Sequence, residues 1–290
     1  MNSSLFIEQL LNGCQFGIML FMISAGLTLV FGIMNLINLA HGSLYMVGAY
    51  IAASALAATG SFVLAILIAV PVTALVGMLV ERLVLRFFYR RTHLDQTLVT
   101  FGLIMVANET VRIIWGPTPL RMPLPDMLAG SVQLLPDLAY PTYRLVVLAV
   151  GLLMAALLYF LVVHTRGGMW VRAGASDRAM ASALGIDVSK VFSVVFVAGA
   201  ALAGLAGIMA GPILAVQVGM GESVLILALV VIVVGGVGSI RGAFIAALLI
   251  GIGDTFGRVL LTPALGSMVI YILMAALLAW RPKGLFPAQG

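Results

Sequence analysis

Three histidines, ten carboxylates and one cysteine are the residues of this 290-residue chain that could carry acid–base, metal or nucleophilic chemistry. Their spacing serves none of these. A zinc hydrolase helix needs H-E-x-x-H, whereas His41, His93 and His164 each stand alone. No G-x-S-x-G turn presents a serine nucleophile. A phosphate-cradling loop reads G-x-x-x-x-G-K-[ST], and the only lysines, Lys190 and Lys283, lie in no such loop. Cys14 is alone, so neither an intrachain disulfide nor a cysteine zinc site can form. The residues predict a chain that is not an enzyme and holds no cofactor or metal of its own.

Three carboxylates, Glu109, Glu222 and Asp254, fall inside or beside apolar runs, where an acid can bind a proton or a sodium ion. Glu109 precedes Arg112 by three residues and Asp254 precedes Arg258 by four, so each can pair along one helix face instead. Asn35 and Asn38, continued by His41 or Gly42 and by Tyr45, form a polar line at helical spacing. Such a line can border the path of a small polar solute, or it can satisfy backbone groups at a helix break. Ser24 and Thr28 are further candidates for the path, although hydroxyls in membrane helices often bond back to their own backbone.

These residues are carried by a chain that is 63% hydrophobic and 9% charged, with a mean hydropathy of +1.20. About nine apolar segments, near 11–33, 42–60, 62–84, 96–115, 143–164, 191–214, 222–238, 242–260 and 265–281, approach the 20 or so residues that a membrane helix needs. The dyad alternation of a membrane barrel is missing. The expected fold is an all-α polytopic bundle of about 8–9 spans forming a single domain over 1–290. The turn GGVGSIRG at 235–242 is short enough for segments seven and eight to be a re-entrant pair. The first ten residues hold no Lys or Arg, unlike a cleaved signal peptide, so the first segment is expected to be retained.

Basic residues set the orientation. Arg82, Arg86, Arg90 and Arg91 follow segment three; Arg166, Arg172, Arg178 and Lys190 separate segments five and six; Arg241 precedes segment eight; Arg281 and Lys283 follow the last. All fall on one side if each segment crosses once, which puts the C-terminus in the cytoplasm and the N-terminus outside. The net charge of +5 is thus an orientation signal, and nucleic acid is not an expected partner. On the outer side, loop 116–142 carries six prolines and is either a connector or a docking surface. Gly199, Ala203, Gly207 and Gly211 recur every four residues, a stripe that lets helix backbones approach closely in lipid, and Pro212 ends or kinks that helix. GAYIAA at 48–53 and GAFIAA at 242–247 hint at an internal repeat.

The inner loop 165–190 contains RAGASDRAMASALGIDVSK over 172–190. Ser176 or Asp177 can cap a helix start and Gly185 suits its end, which predicts one helix of two to three turns. Ala175, Ala179 and Ala183 would give that helix a small face, and Asp187 or Ser189 can cap the next span. Such a helix is either a solvated connector or slim enough to enter a groove on a cytoplasmic partner.

The pattern from Arg172 to Asp187 resembles the cytoplasmic loop of branched-chain amino acid ABC transporter permeases. GLTLVFGIMNLINLAHGSLYMVGAY at 26–50, GGVGSIRGAFIAALLIG at 235–251 and RPKGLFP at 281–287 resemble other signatures of that family, in order along the chain. The likeness is to the first of its two permease types. Many relatives have proline where Arg241 stands, so the resemblance gives this arginine no role. It implies ABC importer permease architecture in a bacterial inner membrane. The implied partners are a second, homologous permease subunit, two cytoplasmic ATPase subunits that hold ATP and magnesium, and an extracytoplasmic solute-binding protein. Arg172, Ala175, Asp177, Arg178, Ala179, Ala183, Gly185 and Asp187 would then form the coupling segment that docks into an ATPase. The implied solutes are branched-chain or other neutral amino acids, or related solutes such as urea and amides. A self-contained secondary carrier or channel using Glu109, Glu222 or Asp254 is the alternative.

Overall fold

The computed structural model describes residues 3–286 apart from 35, 37 and 90. The apolar runs are long enough to bury their backbone hydrogen bonds within themselves, and each becomes a helix. In chain order these are α1 (Ser3–Met34), α2 (His41–Thr59), α3 (Phe62–Leu83), α4 (His93–Trp115), α5 (Thr142–His164), α6 (Arg166–Ser176), α7 (Arg178–Ala183), α8 (Val188–Ala210), α9 (Met220–Gly235), α10 (Ile240–Leu260) and α11 (Pro263–Trp280). Among the described residues, seven helices are long and apolar enough to cross a membrane. α9 has 16 residues, about 24 Å at 1.5 Å per residue, short of the ~30 Å hydrocarbon core.

Local chemistry fixes the helix ends. Gly60 takes φ 66 to close α2, and Ser61 then caps α3 by accepting from the Leu64 N–H at 3.4 Å. Thr92 and Asp95 form a reciprocal capping box on α4, each side chain accepting from the other's backbone N–H at 3.3 Å. α8 stops at Ala210, two residues before Pro212. The external loop contains a two-stranded antiparallel hairpin, β1 (Ser131–Leu135) and β2 (Leu138–Pro141). The hairpin end of the bundle is fastened where Tyr140 Oη and Arg144 Nη1 both donate to Asn12 Oδ1, at 3.1 and 2.5 Å.

α1 is the central post. Its membrane-length window is 78% buried, against 22, 17 and 22% for α3, α4 and α5, which lie at the outside of the bundle. α10 runs antiparallel along α1: Gly13 meets Ile252, Gly17 meets Ala247 and Gly32 meets Gly238 at the opposite end, which carries α6 and α7. We refer to that end as the loop end. α8 wedges between α1, α2 and α3. A Cβ on Gly204 would stand 2.9 Å from the Thr73 side chain of α3, and one on Gly48 of α2 would stand 2.5 Å from the Gly204 Cα. Only glycine permits that approach. The two hexapeptides of the suspected repeat occupy different turns, GAYIAA starting seven residues into α2 and GAFIAA two residues into α10, so they do not sit at matching places.

Candidate functional site

The inner loop folds as two helices where the sequence predicts one. Thr165 caps α6 by accepting from the Gly168 N–H at 3.1 Å. Asp177 is extended, with φ −148 and ψ 106, and its carboxylate accepts from the N–H groups of Ala179 and Met180 at 2.9 Å to start α7. Gly185, at φ 86, ends the turn after α7. Asp187 caps α8 by accepting from the Lys190 N–H at 3.1 Å and pairs with Lys190 Nζ at 3.1 Å. The Lys190 backbone and side-chain donors hold the Asp187 carboxyl below its usual range. Because the backbone turns at Asp177, Ala175 lies on α6 while Ala179 and Ala183 lie on α7, so the three do not form one face. All three are exposed, as are Met180 at 59% and Leu184 at 74%.

Two of the predicted docking arginines turn inward. Arg172 Nη1 donates to the Val162 carbonyl near the end of α5. Arg178 reaches the last carbonyls of α1, donating to Met34 O at 2.6 Å and Ile33 O at 3.4 Å, with its guanidinium 4.9 Å from the Phe192 ring centroid of α8. A cation at those unpaired carbonyls complements the negative end of the helix. Arg178 therefore ties α7 to the C-terminal end of α1.

The chain that follows doubles back. His41, which opens α2, lies beside Gly26, roughly two turns before the end of α1: a Cβ on Gly26 would stand 3.0 Å from the imidazole and 2.7 Å from Gly199 O. The first turns of α2 and α9 touch through Gly42 and Gly221, where neither could carry a side chain. Around this break the candidate path residues are buried: Asn38 and Thr28 at 1%, Tyr45 at 2%, Ser24 and His41 at 0%. Ser24 Oγ donates to the Leu20 carbonyl at 2.5 Å. Both Asn38 amide atoms, both His41 ring nitrogens and Thr28 Oγ1 have no partner among the described residues. A buried polar group left unpaired costs about 1–3 kcal/mol, so this cluster calls for water or solute. Asn38 also lines a cavity of about 300 Å³ between α2, α3 and α4, walled by Val47, Val80, Leu103, Trp115 and Phe196. Asn35 lies outside the described residues.

On α8, Gly199 packs against Gly26 and Val30 of α1, Ala203 is fully buried, and Gly207 meets the Tyr45 carbonyl and the Ala49 backbone of α2. Gly211 adjoins Met122 of the external loop. The acids are engaged: Glu109 pairs with Arg112 at 3.3 Å, Asp254 with Arg258 at 2.8 Å, and Glu222 accepts from the Asn108 amide at 2.6 Å. The second oxygen of Asp254 has no partner among the described residues. Sequence reasoning missed Glu81. It is fully buried in α3, and accepts from Tyr89 Oη at 2.5 Å and Ser193 Oγ at 3.0 Å. Burial, with this carboxylate beside it, pushes the Tyr89 hydroxyl above its usual range. A carboxylate three residues inside the end of an apolar run was the available signal.

These features describe a helical membrane protein with a structured inner loop and a broken-helix polar cluster. A family model described as branched-chain amino acid transport system, permease component, matches residues 9–278. The chain belongs to that permease family. This permease is 29% identical over 303 residues to the high-affinity branched-chain amino acid transport system permease protein LivH of Salmonella typhimurium LT2, covering 97% of this chain and 95% of that one. It is 28% identical over 292 residues to BraD of Pseudomonas aeruginosa, with the same coverage. It is 27% identical over 286 residues to a probable LivH of Methanocaldococcus jannaschii, covering 92 and 88%. No solved structure matches the permease. With seven membrane-length helices, it is a multi-pass membrane protein.

Proposed function

We propose that this chain is the membrane-spanning subunit of an ABC importer that moves branched-chain or other neutral amino acids, and that 165–190 couples it to an ATPase. The observation that carries this reading is the construction of α7. Its outer side presents small and apolar residues, Ala179, Met180, Ala183 and Leu184, while its Arg178 is fixed to the end of α1. An exposed, slim helix with a rigid link to the bundle suits a part that is gripped and pulled. The link leads towards the break where Asn38 and His41 are buried without partners, and we place the solute path beside that cluster.

In this reading a second permease completes the membrane unit, two ATPase subunits supply ATP and magnesium, and an extracytoplasmic binding protein delivers the solute to the side that carries loop 116–142. The chain itself binds no cofactor and performs no chemistry; it offers alternating access. Glu109 and Glu222 are engaged and one oxygen of Asp254 is paired with Arg258, which weighs against an ion-driven carrier. A neutral or zwitterionic solute suits amides and an imidazole better than a strongly charged one, whose desolvation would need a matching charge.

In reconstituted transporter, Ala179→Trp should abolish stimulation of ATP hydrolysis by loaded binding protein and reduce uptake about tenfold or more, with the membrane bundle still folded. Normal uptake by both Ala179→Trp and Ala183→Trp would overturn the docking reading.

Orientation follows from the basic residues at the loop end: Arg86 donates to Ser189 at 3.3 Å, and Gly284, just after Lys283, packs against Gly236. We assign this end to the cytoplasm. In a Cys14→Ser background, cysteines replacing Thr92 and Ser182 should label only in inverted vesicles, and one replacing Met127 only in intact cells. Labelling of Ser182→Cys from outside would reverse the assignment and remove the coupling argument.

A further inference from the structure

A basic pocket and an apolar groove meet where α5 and α10 flank the last turns of α1. The pocket, of about 680 Å³, has a largely apolar wall into which Arg172 and Arg241 are set, together with Thr28, Tyr159 and Ser239. Arg241 donates to the Tyr159 hydroxyl and lies 4.9 Å from its ring centroid, while Arg172 is held by the Val162 carbonyl. Both guanidiniums are therefore positioned, and both keep free donors. No carboxylate lines the pocket or pairs with either one among the described residues. The first N–H groups of α10, those of Ile240 and Arg241, make no backbone hydrogen bond. Thr28, which also lines the pocket, is 1% exposed, and its hydroxyl has no partner among the described residues. Two cations, the positive end of a helix and an unpaired hydroxyl thus converge with no negative charge to balance them.

A second groove, of about 380 Å³, adjoins the pocket: it shares Tyr159, Ile240 and Arg241 with it and is completed by Phe21, Ala155, Phe244 and Ile245. Apart from the shared arginine and phenol, its walls are apolar. A free oxyanion or a carboxylate solute would fill the basic pocket and leave the groove open. A hydrocarbon chain would fill the groove and leave the cations unpaired. The molecule that matches both has an anionic head and an acyl tail, and α5 and α10, which border the groove, are long and apolar enough to cross a membrane.

We propose that this pocket and groove bind an anionic phospholipid, with the phosphate between Arg172 and Arg241 and one acyl chain between α5 and α10. The proposal depends on neither the solute nor the ATPase. A lipid held there bridges α6 to the start of α10.

Full-length protein, with the subunits that accompany it from the membrane, is delipidated and titrated in native mass spectrometry. The probes are phosphatidylglycerol, phosphatidylcholine of the same chains, and glycerol 3-phosphate. Phosphatidylglycerol should bind about tenfold tighter than phosphatidylcholine, and glycerol 3-phosphate should not compete. Arg172→Gln and Arg241→Gln should each weaken phosphatidylglycerol binding about fivefold, and Arg241→Lys should retain most of it. Ile245→Trp fills the tail groove, leaves both cations in place and should weaken binding similarly, which guards against an arginine variant that merely misfolds. Equal affinity for the two lipids, or phosphatidylglycerol binding unchanged in the glutamine variants and in Ile245→Trp, would overturn the site. Competition by glycerol 3-phosphate would mark it as a site for small oxyanions. Absence of the lipid from complexes that contain a second permease would mark the groove as a subunit interface. Either of these outcomes also overturns the proposal.

Discussion

Arg178→Ala should lower uptake at least tenfold while basal ATP hydrolysis persists and ATPase subunits still co-purify. The lost interaction is a charge-assisted pair of hydrogen bonds to the final carbonyls of α1, with the guanidinium also set against Phe192. Such a contact contributes about 2 kcal/mol, equivalent to about a thirtyfold change in the ratio of engaged to released α7. Because α7 is one short helix between the turns at Asp177 and Gly185, few other contacts can replace this link. Arg178→Lys keeps a cation near Met34 but loses the planar fork, so its uptake should fall between the two. Uptake by Arg178→Ala at the unmodified rate would show that force reaches the bundle by another route. Loss of ATPase co-purification would show that the arginine shapes the docking surface and does not transmit from it.

Gly207→Val should prevent the bundle from forming. A Cβ there runs into the Tyr45 carbonyl and comes within 3.4 Å of the Ala49 N–H, both backbone groups of α2 that cannot swing aside as a side chain can. Inserting carbon into a packed site costs about 1–3 kcal/mol, and a collision with backbone belongs at the upper end. The yield of monodisperse protein in detergent should collapse. Gly102→Val on α4 has nothing within 4 Å of the added carbon and should behave as the unmodified protein. Equal yields from both variants would mean that α8 and α2 do not approach as described.

The parts legible in the sequence are those governed by one-dimensional pattern. Apolar length located a helix in each of the nine apolar segments, seven of them membrane-length among the described residues, and turn chemistry located Asp177, Gly185 and Asp187 at the ends they occupy. α6 was missed because Gly167 and Gly168 argue against a helix. The structure needs a glycine at 168, where any side chain would strike the carbonyls of Leu161 and Val162. The hairpin was missed because prolines surround it, although Ser131–Leu135 itself contains none. What pattern cannot supply is direction. An arginine in a polar loop reads as facing solvent, and only the return of α1 beneath α7 turns Arg178 inward. For the same reason the partnerless state of Asn38 and His41 was invisible: residues from α1, α2 and α8 must close over them first.

The central position of α1 sets a problem of timing. It leaves the ribosome well before the helices that cover it, α8 and α10, which begin at residues 188 and 240. At about 5–20 residues per second, roughly 10–40 seconds pass before α10 can reach it. Throughout that interval Gly13 and Gly17, which α10 will later cover, and Gly32, which the turn before it will cover, lack those neighbours. The pairing of α1 with α10 also closes a loop of about 200 residues, so its loop-closure cost falls only after α10 has been made. A truncated chain lacking α10 therefore leaves its innermost helix uncovered along that whole side, which makes the late segments a checkpoint for quality control of the early one.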